Sequence, residues 1–355
     1  MGLRTVVVGT GSCIPPRRVT NEELAGREFF GPDGRRIDKP GDQVVAQFQS
    51  ITGIRERRWA GDDQVASDLA VLAARDALDS SGVDPESLDA LIVAHNFGDV
   101  RHGTRNSDLV PALASRVKAQ LKIAAPRTAA FDLIFGCPGW LQGVLQCDAM
   151  IRAGDAKRAL VIGAETLSRV SDPHDRDSLI YADGAGAVIL EAREGEAGIL
   201  GHAVRSDAID HSTMLTMGPS YKDEVFREAI FLKMEGRKLY RYALQTVAGA
   251  IAEALERAGV ALADVKKVLI HQANGKMDEA ILQALYEREG RTPPADVMPM
   301  TIGWLGNSSV ATVPTLLDLL LKGRLEGHSA GAGDVLVLAS VGAGMNVNAA
   351  VYRLP

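Results

Sequence analysis

Two stretches of the chain, LAVLAARDALDSSGVDPESLDALIVAHNF (residues 69–97) and QTVAGAIAEALERAGVALADVKKVLIHQAN (residues 245–274), repeat one pattern. Each has an alanine-rich helical segment that ends at a glycine, Gly82 or Gly259, and is followed by a polar turn and an apolar strand. Self-similarity on this scale marks a structural unit that is used more than once. The sequence therefore predicts one fold that occurs twice.

A second pair of similar segments supports the duplication. RALVIGAETLS (158–168) matches DVLVLASVGAG (334–344), and the closing strands AVILEA and AAVYRL follow them. Short, continuously apolar strands that alternate with helices are typical of sheets covered on both faces, which predicts a layered α/β protein. We expect an N-terminal half at residues 1–195 and a C-terminal half at residues 196–355.

Composition excludes several classes of protein. The chain has 355 residues, of which 46% are hydrophobic and 24% charged, and a formal net charge of −6, which argues against a nucleic-acid binder or a binder of anionic membranes. Three cysteines are too few for a disulfide framework or a zinc site. The chain has no apolar stretch suited to a signal peptide or a membrane span, so we expect a cytoplasmic protein.

A cysteine stands where a strand turns into a helix, in AAFDLIFGCPGWLQGVLQ (129–146). Gly136 permits a sharp turn, and Pro138 suits the first position of a helix. Cys137 is therefore predicted at a helix N-terminus, where the helix dipole would lower the thiol pKa below its free value of about 8.5 and create a nucleophile. Cys147 lies among apolar neighbours within the same helix and is predicted to be a packing residue.

Two polar residues are candidate partners of this thiol. His271 is predicted to be exposed at the end of a strand in VLIHQANGK, where the first repeat has Ala94. Catalytic groups collect beyond the carboxyl ends of strands in such sheets, so the duplicated framework points to His271, although a lone histidine is usually structural. Asn307, in GWLGNSSVATVP, would by itself be assigned as a helix cap.

Over nearly its whole length the chain resembles the β-ketoacyl-acyl-carrier-protein synthase III family of the thiolase superfamily. The segments that carry the resemblance occur in the family's order and are GTGSCIPPRRVTNEEL, TGIRERR, FGCPGW, SDPHDRDSLIYADGAGAVIL, HQAN, GNSSVATVP and GAGMNVNAAVYRL. The resemblance implies a thiolase-like, five-layered αβαβα fold made of two duplicated halves. It also implies a homodimer and an acyltransferase with no cofactor and no metal.

The resemblance further implies a role for each site residue. Cys137 would be acylated by an acyl thioester, and His271 and Asn307 would bind the carbonyl of malonyl-acyl-carrier protein during decarboxylative condensation. Backbone N–H groups of Cys137 and Gly344 would form an oxyanion hole. Three further residues would bind pantetheine or phosphate, and these are Arg176, Asn274 and Lys276.

The match fails in the segment just before TGIRERR. Where the family carries a tryptophan and an arginine that clamp the adenine of coenzyme A, this chain has Gln47 and Ile51. We therefore predict a preference for acyl groups on acyl-carrier protein and a role in a specialised fatty-acid or polyketide-type pathway. Cations of the preceding loop could supply another clamp, and these are Arg35, Arg36 and Lys39.

Three alternatives remain at this point. The first is an acyltransferase that passes the acyl group of Cys137 to a hydroxyl or an amine. The second is a hydroxymethylglutaryl-type synthase, for which Glu165 would be the catalytic carboxylate. The third is a non-catalytic partner subunit, which an intact Cys137, His271 and Asn307 disfavours.

Overall fold

The computed structural model describes residues 2–222 and 229–355. Along them the strands run in the order β1 (Gly2–Cys13), β2 (Arg17–Thr20), β3 (Glu56–Trp59), β4 (Ala90–Ala94), β5 (Ala129–Leu133), β6 (Arg158–Thr166), β7 (Asp183–Gly195), β8 (Gly198–Ser206), β9 (Leu215–Pro219), β10 (Ile230–Met234), β11 (Val265–Ile270), β12 (Val335–Gly342) and β13 (Asn346–Arg353).

The α-helices follow the same order along the described residues. They are α1 (Asn21–Leu24), α2 (Gly41–Thr52), α3 (Ala66–Ser81), α4 (Leu113–Gln120), α5 (Gly139–Ala153), α6 (Ala208–His211), α7 (Gly236–Ala258), α8 (Gly275–Glu287), α9 (Ile302–Leu305) and α10 (Thr312–Leu321). None of these helices is long and apolar enough to cross a lipid bilayer.

The four-stranded second sheet repeats the topology of the first four strands of the five-stranded first sheet, which confirms the duplication. One sheet has the order β1-β7-β6-β4-β5 and the other the order β8-β13-β12-β11. In each, the first two neighbouring pairs are antiparallel and the next pair, β6 with β4 or β12 with β11, is parallel. The repeated glycines Gly82 and Gly259 end α3 and α7 in the left-handed region, at φ 64° and 65°.

Five layers result from the packing of helices on these sheets. Helices α3 and α4 cover the outer face of the first sheet, and α7 and α8 cover the outer face of the second. Helices α5 and α10 lie between the sheets and bury apolar side chains against both of them. The expected thiolase-like fold is therefore present, while the boundary between residues 195 and 196 remains a prediction, because both halves share this middle layer.

Two local predictions were wrong. Helix α5 begins at Gly139, so Pro138 occupies the N-cap and not the first helical position. In GTGSCIPP the sequence predicts Cys13 in a turn that follows the first strand, but Cys13 is the last residue of β1. Both differences concern one or two residues at the end of an element, where the pattern of apolar residues does not mark the boundary.

Candidate active site

Four predicted site residues line one cavity of about 360 Å³, namely Cys137, His271, Asn307 and Gly344. Three of them follow strands closely: Cys137 comes after β5, His271 comes directly after β11, and Gly344 comes after β12. The cavity therefore lies beyond the carboxyl ends of strands from both sheets, as expected for this class of fold.

Glycines allow the two loops beside the thiol to touch backbone to backbone. Gly136 has φ 68°, and a Cβ there would lie 2.7 Å from the backbone N of Ala343. A Cβ on Gly342 would lie 2.4 Å from the backbone N of Cys137. Only glycine fits at these two positions, and the contact brings the end of β12 against the cysteine turn.

The predicted low pKa of Cys137 was wrong. Burial raises the pKa of the thiol to about 11, and the charge of Glu165 adds to the increase, while a hydrogen bond from Ser309 opposes it. A helix dipole stabilises a thiolate by about 0.3–1 kcal/mol, whereas a change of one pKa unit corresponds to about 1.36 kcal/mol. The dipole therefore lowers the thiol pKa by less than one unit, and the effect of desolvation is larger. The thiol is protonated at neutral pH and must lose its proton as it reacts.

His271 is buried, with 4% of its surface exposed, whereas the sequence predicted an exposed side chain. Burial lowers the pKa of its imidazole to about 4, and hydrogen bonding with the Ser309 backbone opposes this shift. Among the described residues, its Nδ1 has no hydrogen-bond partner. With a pKa of about 4 the side chain is a neutral imidazole at neutral pH, and it has one N–H group with which to donate a hydrogen bond.

Asn307 is held in one orientation. Its backbone N donates to the Ile180 carbonyl at 2.8 Å, and its own carbonyl accepts from Ala182 at 2.8 Å. Its side-chain Oδ1 accepts from the backbone N of Ser309 at 2.8 Å. Because the oxygen is thereby identified, the amide nitrogen Nδ2 is the atom left to donate a hydrogen bond to a ligand.

Ser309 and Asn96 are site residues that sequence reasoning missed. Both line the cavity, and the Ser309 hydroxyl donates to Cys137 Sγ at 3.3 Å. Ser309 has φ 53°, which is unusual for a residue other than glycine. No signal in the sequence marks this backbone conformation, since Ser308 and Ser309 are equally plausible capping residues.

The predicted pantetheine and phosphate residues do not line the cavity. Arg176 forms an ion pair with Asp177 at 3.0 Å, and Asn274 caps α8 by accepting from Met277 N at 3.2 Å. Lys276 is exposed on α8. Their roles remain predictions.

The rest of the cavity wall is mostly apolar. It includes aromatic, leucine and methionine side chains, among them Phe97, Leu167, Leu232 and Met234. Such a wall excludes water and suits an aliphatic chain, while a few polar groups are left to orient the reacting carbonyl.

Known proteins similar to this chain belong to the family that the sequence motifs indicated, and the similarity extends along nearly the whole chain. A family model described as 3-oxoacyl-[acyl-carrier-protein (ACP)] synthase III matches residues 131–208, and the model of its C-terminal part matches residues 255–354. The chain is 36% identical over 355 residues to a β-ketoacyl-[acyl-carrier-protein] synthase III of Rhizorhabdus wittichii, with 99% of each chain covered.

Solved structures agree with the sequence comparison. The 3-oxoacyl-(acyl carrier protein) synthase III of Pseudomonas aeruginosa PAO1 superposes with a TM-score of 0.81 at 29% identity and covers 99% of this chain and 98% of its own. The priming β-ketosynthase of the R1128 polyketide biosynthetic pathway also has a TM-score of 0.81, at 27% identity, and covers 99% of this chain and 96% of its own.

Proposed function

The chain belongs to the β-ketoacyl-[acyl-carrier-protein] synthase III family of acyltransferase-type condensing enzymes, and from this premise we propose that Cys137 carries the acyl group while His271 and Asn307 promote condensation. The observation that carries the proposal is that one apolar cavity contains the thiol, a neutral imidazole and an oriented amide. The protein would work as a homodimer in the cytoplasm and would take its substrates as thioesters.

In the first half-reaction, Cys137 Sγ attacks the carbonyl carbon of an acyl thioester. The new C–S bond forms, the bond to the carrier sulfur breaks, and the thiol proton of Cys137 ends on the leaving carrier thiol. Backbone N–H groups of Cys137 and Gly344 would donate to the carbonyl oxygen while it carries negative charge. The raised thiol pKa means that this step depends on groups that stabilise the thiolate.

In the second half-reaction, malonyl-acyl-carrier protein would bind with its thioester carbonyl facing His271 and Asn307 Nδ2. Carbon dioxide leaves, and the electron pair of the broken C–C bond forms an enolate whose oxygen accepts both hydrogen bonds. One such donor in a dry site lowers the barrier by about 3 kcal/mol. The enolate carbon then attacks the acyl group on Cys137, and the cysteine thiolate leaves and takes up a proton.

Similarity to a priming β-ketosynthase of a polyketide pathway and to a 3-oxoacyl-(acyl carrier protein) synthase III supports a place at the start of a fatty-acid or polyketide-type chain. The partners would be an acyl thioester, malonyl-acyl-carrier protein and the carrier protein itself. Arg176, Asn274 and Lys276 would meet the pantetheine or phosphate outside the cavity.

The first prediction is that Cys137 alone becomes acylated. Incubation with a panel of acyl thioesters, followed by intact mass and peptide mapping, should place one acyl group on Cys137, because its sulfur faces the cavity whereas Cys147 is fully buried. Cys137→Ala should abolish labelling and Cys13→Ala should leave it unchanged. An acyl group on Cys13 or Cys147 with Cys137 unmodified would contradict the proposal.

A further inference from the structure

Ser309 contacts all three residues of the proposed active site, and this inference rests on the proposed function of that site. Its hydroxyl donates to Cys137 Sγ, its backbone N donates to Asn307 Oδ1, and its backbone interacts with His271. We propose that the Ser309 hydroxyl stabilises the Cys137 thiolate during acylation, and that Asn96 and Glu165 fix the direction of this hydrogen bond.

The direction of the hydrogen bond between Ser309 and Cys137 follows from the donors and acceptors of Glu165, Asn96 and Ser309. Glu165 Oε2 accepts from the backbone N of Asn96 at 3.0 Å and from its side-chain Nδ2 at 2.8 Å. Asn96 Nδ2 also donates to Ser309 Oγ at 3.1 Å, so both of its hydrogens are used. Ser309 Oγ thus receives a hydrogen bond from Asn96, and its single hydrogen is directed to Cys137 Sγ.

The buried carboxyl of Glu165 is what orients Asn96. Glu165 is fully buried, and its Oε1 has no hydrogen-bond partner among the described residues. Burial raises its pKa to about 7, whereas His95 and the two Asn96 bonds lower it and Asp183 raises it. A carboxyl oxygen with two N–H donors prevents the Asn96 amide from flipping, because a flip would place the amide oxygen against the carboxyl oxygen.

The backbone of Ser309 is strained in a way that serves these contacts. At φ 53° it lies in the left-handed region, where residues other than glycine are rare. Strain of this kind persists where surrounding contacts over-determine the conformation, and it clusters at functional sites. Here the conformation lets one residue hold the Asn307 oxygen with its N–H and reach the Cys137 sulfur with its hydroxyl.

The chemical effect is specific to the thiolate. A neutral thiol is a weak hydrogen-bond acceptor, whereas a hydrogen bond to an ionised group is about twice as strong as one between neutral groups. The Ser309 donor therefore stabilises the charged form more than the neutral form and opposes the effect of burial on Cys137. It acts as a positioning and stabilising residue and takes up no proton in this scheme.

The test uses Ser309→Gly, which removes the hydroxyl but keeps the backbone contacts and relaxes the left-handed conformation. Because glycine adopts this conformation readily, we expect the Ser309→Gly protein to fold. Ser309→Ala is a second variant, in which the backbone strain is retained. Ser308→Ala is the matched control, since that neighbouring hydroxyl lies near Thr312 and outside the cavity. The measurement is the rate of Cys137 alkylation by iodoacetamide between about pH 7 and 9, followed by peptide mass.

Loss of the Ser309 hydrogen bond should raise the thiol pKa further, because that bond stabilises the charged form. The fraction of Cys137 that is ionised should then fall about 10- to 100-fold. A more basic thiolate is also more nucleophilic, which partly offsets this decrease. We therefore expect the rate of alkylation to fall about 3- to 10-fold in both Ser309 variants. Ser308→Ala should react like the wild type. Wild-type rates in both Ser309 variants, or equal slowing in Ser308→Ala, would overturn the inference.

A fourth variant separates orientation from proton transfer. Glu165→Gln retains an oxygen that can accept from Asn96 but removes a charge that raises the pKa of Cys137, so its alkylation should be as fast as wild type or faster. Slower alkylation would show that the charge of Glu165 assists formation of the thiolate, and this would overturn a role limited to positioning. Iodoacetamide reacts with the thiolate without an acyl thioester. The alkylation rates therefore test the role of Ser309 independently of whether the proposed condensation takes place.

Discussion

The charge state of His271 depends on its burial in the cavity wall. Burial lowers the pKa of the imidazole from 6.5 to about 4, so the neutral form is present throughout the range above pH 4. We expect malonyl decarboxylation to lose activity on the acid side near pH 4, and not near the 6.5 of an unshifted histidine. The measurement is the rate of carbon dioxide release against pH, over the range in which circular dichroism shows a folded chain.

Substitutions separate the two half-reactions at the same residues. His271→Ala and Asn307→Ala should each reduce decarboxylation about 10²- to 10³-fold, because each removes one donor to the enolate oxygen. Acylation of Cys137 should remain substantial, since the pair is not assigned to that step. Loss of acylation in a folded His271→Ala protein would instead make His271 the base for the thiol.

Among the elements, helix α2 carries the residues on which the predicted choice of carrier depends. Gln47 and Ile51 lie four residues apart on its exposed side, and Ile51 is 47% exposed. The resemblance places an adenine-clamping tryptophan and arginine at these positions. Here Lys39 Nζ donates to Gln47 Oε1 at 3.0 Å, which supplies one cation but no aromatic surface.

We therefore expect acyl-carrier-protein donors to acylate Cys137 with at least a tenfold higher kcat/KM than matched coenzyme A esters. The physical reason is the loss of base stacking, worth about 1–3 kcal/mol, while a carrier protein binds through charged surface instead. The double substitution Gln47→Trp with Ile51→Arg should reduce the difference in kcat/KM between the two kinds of donor. The control is Ala46→Trp with Ser50→Arg, which introduces the same two residues one position earlier and should leave this difference in kcat/KM unchanged.

Equal or faster turnover of the coenzyme A ester by the wild-type chain would show that another clamp exists. The loop before α2 offers Lys39 for that role, whereas Arg35 and Arg36 already pair with the carboxylates of Asp33 and Glu28. Lys39→Ala would then reduce coenzyme A turnover selectively.

For the whole molecule, we expect a second copy of the chain to pack against the β5 edge of the first sheet. Strand β5 ends the strand order β1-β7-β6-β4-β5, and Asp132 within it accepts from the backbone N of Leu113 and of Ala114. The segment just before α4 exposes Val110 by 86%, and Ile134 beside β5 is 61% exposed. Apolar exposure next to an edge strand is typical of an interface.

We expect the wild-type chain to sediment as a homodimer and Val110→Asp to shift it toward monomer. A buried aspartate would have to be desolvated without a partner, which opposes association. Ile209→Asp is the control, because Ile209 is 98% exposed on α6, which follows strand β8 of the second sheet. A monomeric wild type, or equal dissociation by Ile209→Asp, would contradict the homodimer.

Local patterns in the sequence were sufficient for the layered fold and for the positions of the thiol and the imidazole. Apolar strands, alanine-rich helices and the glycines Gly82 and Gly259 depend on short-range preferences, so the duplication was visible without a structure. The turn at Gly136 placed Cys137 before a helix, and the repeat placed His271 at a strand end, as observed.

Only the tertiary structure decided the chemical state of these groups and the contacts between them. Packing of two sheets around α5 and α10 buries the cavity, and the resulting desolvation raises the pKa of Cys137 and lowers that of His271. It also brings Asn96 and Ser309 together, although 213 residues separate them. Desolvation and long-range hydrogen bonds depend on which distant segments meet, and no local pattern contains that information.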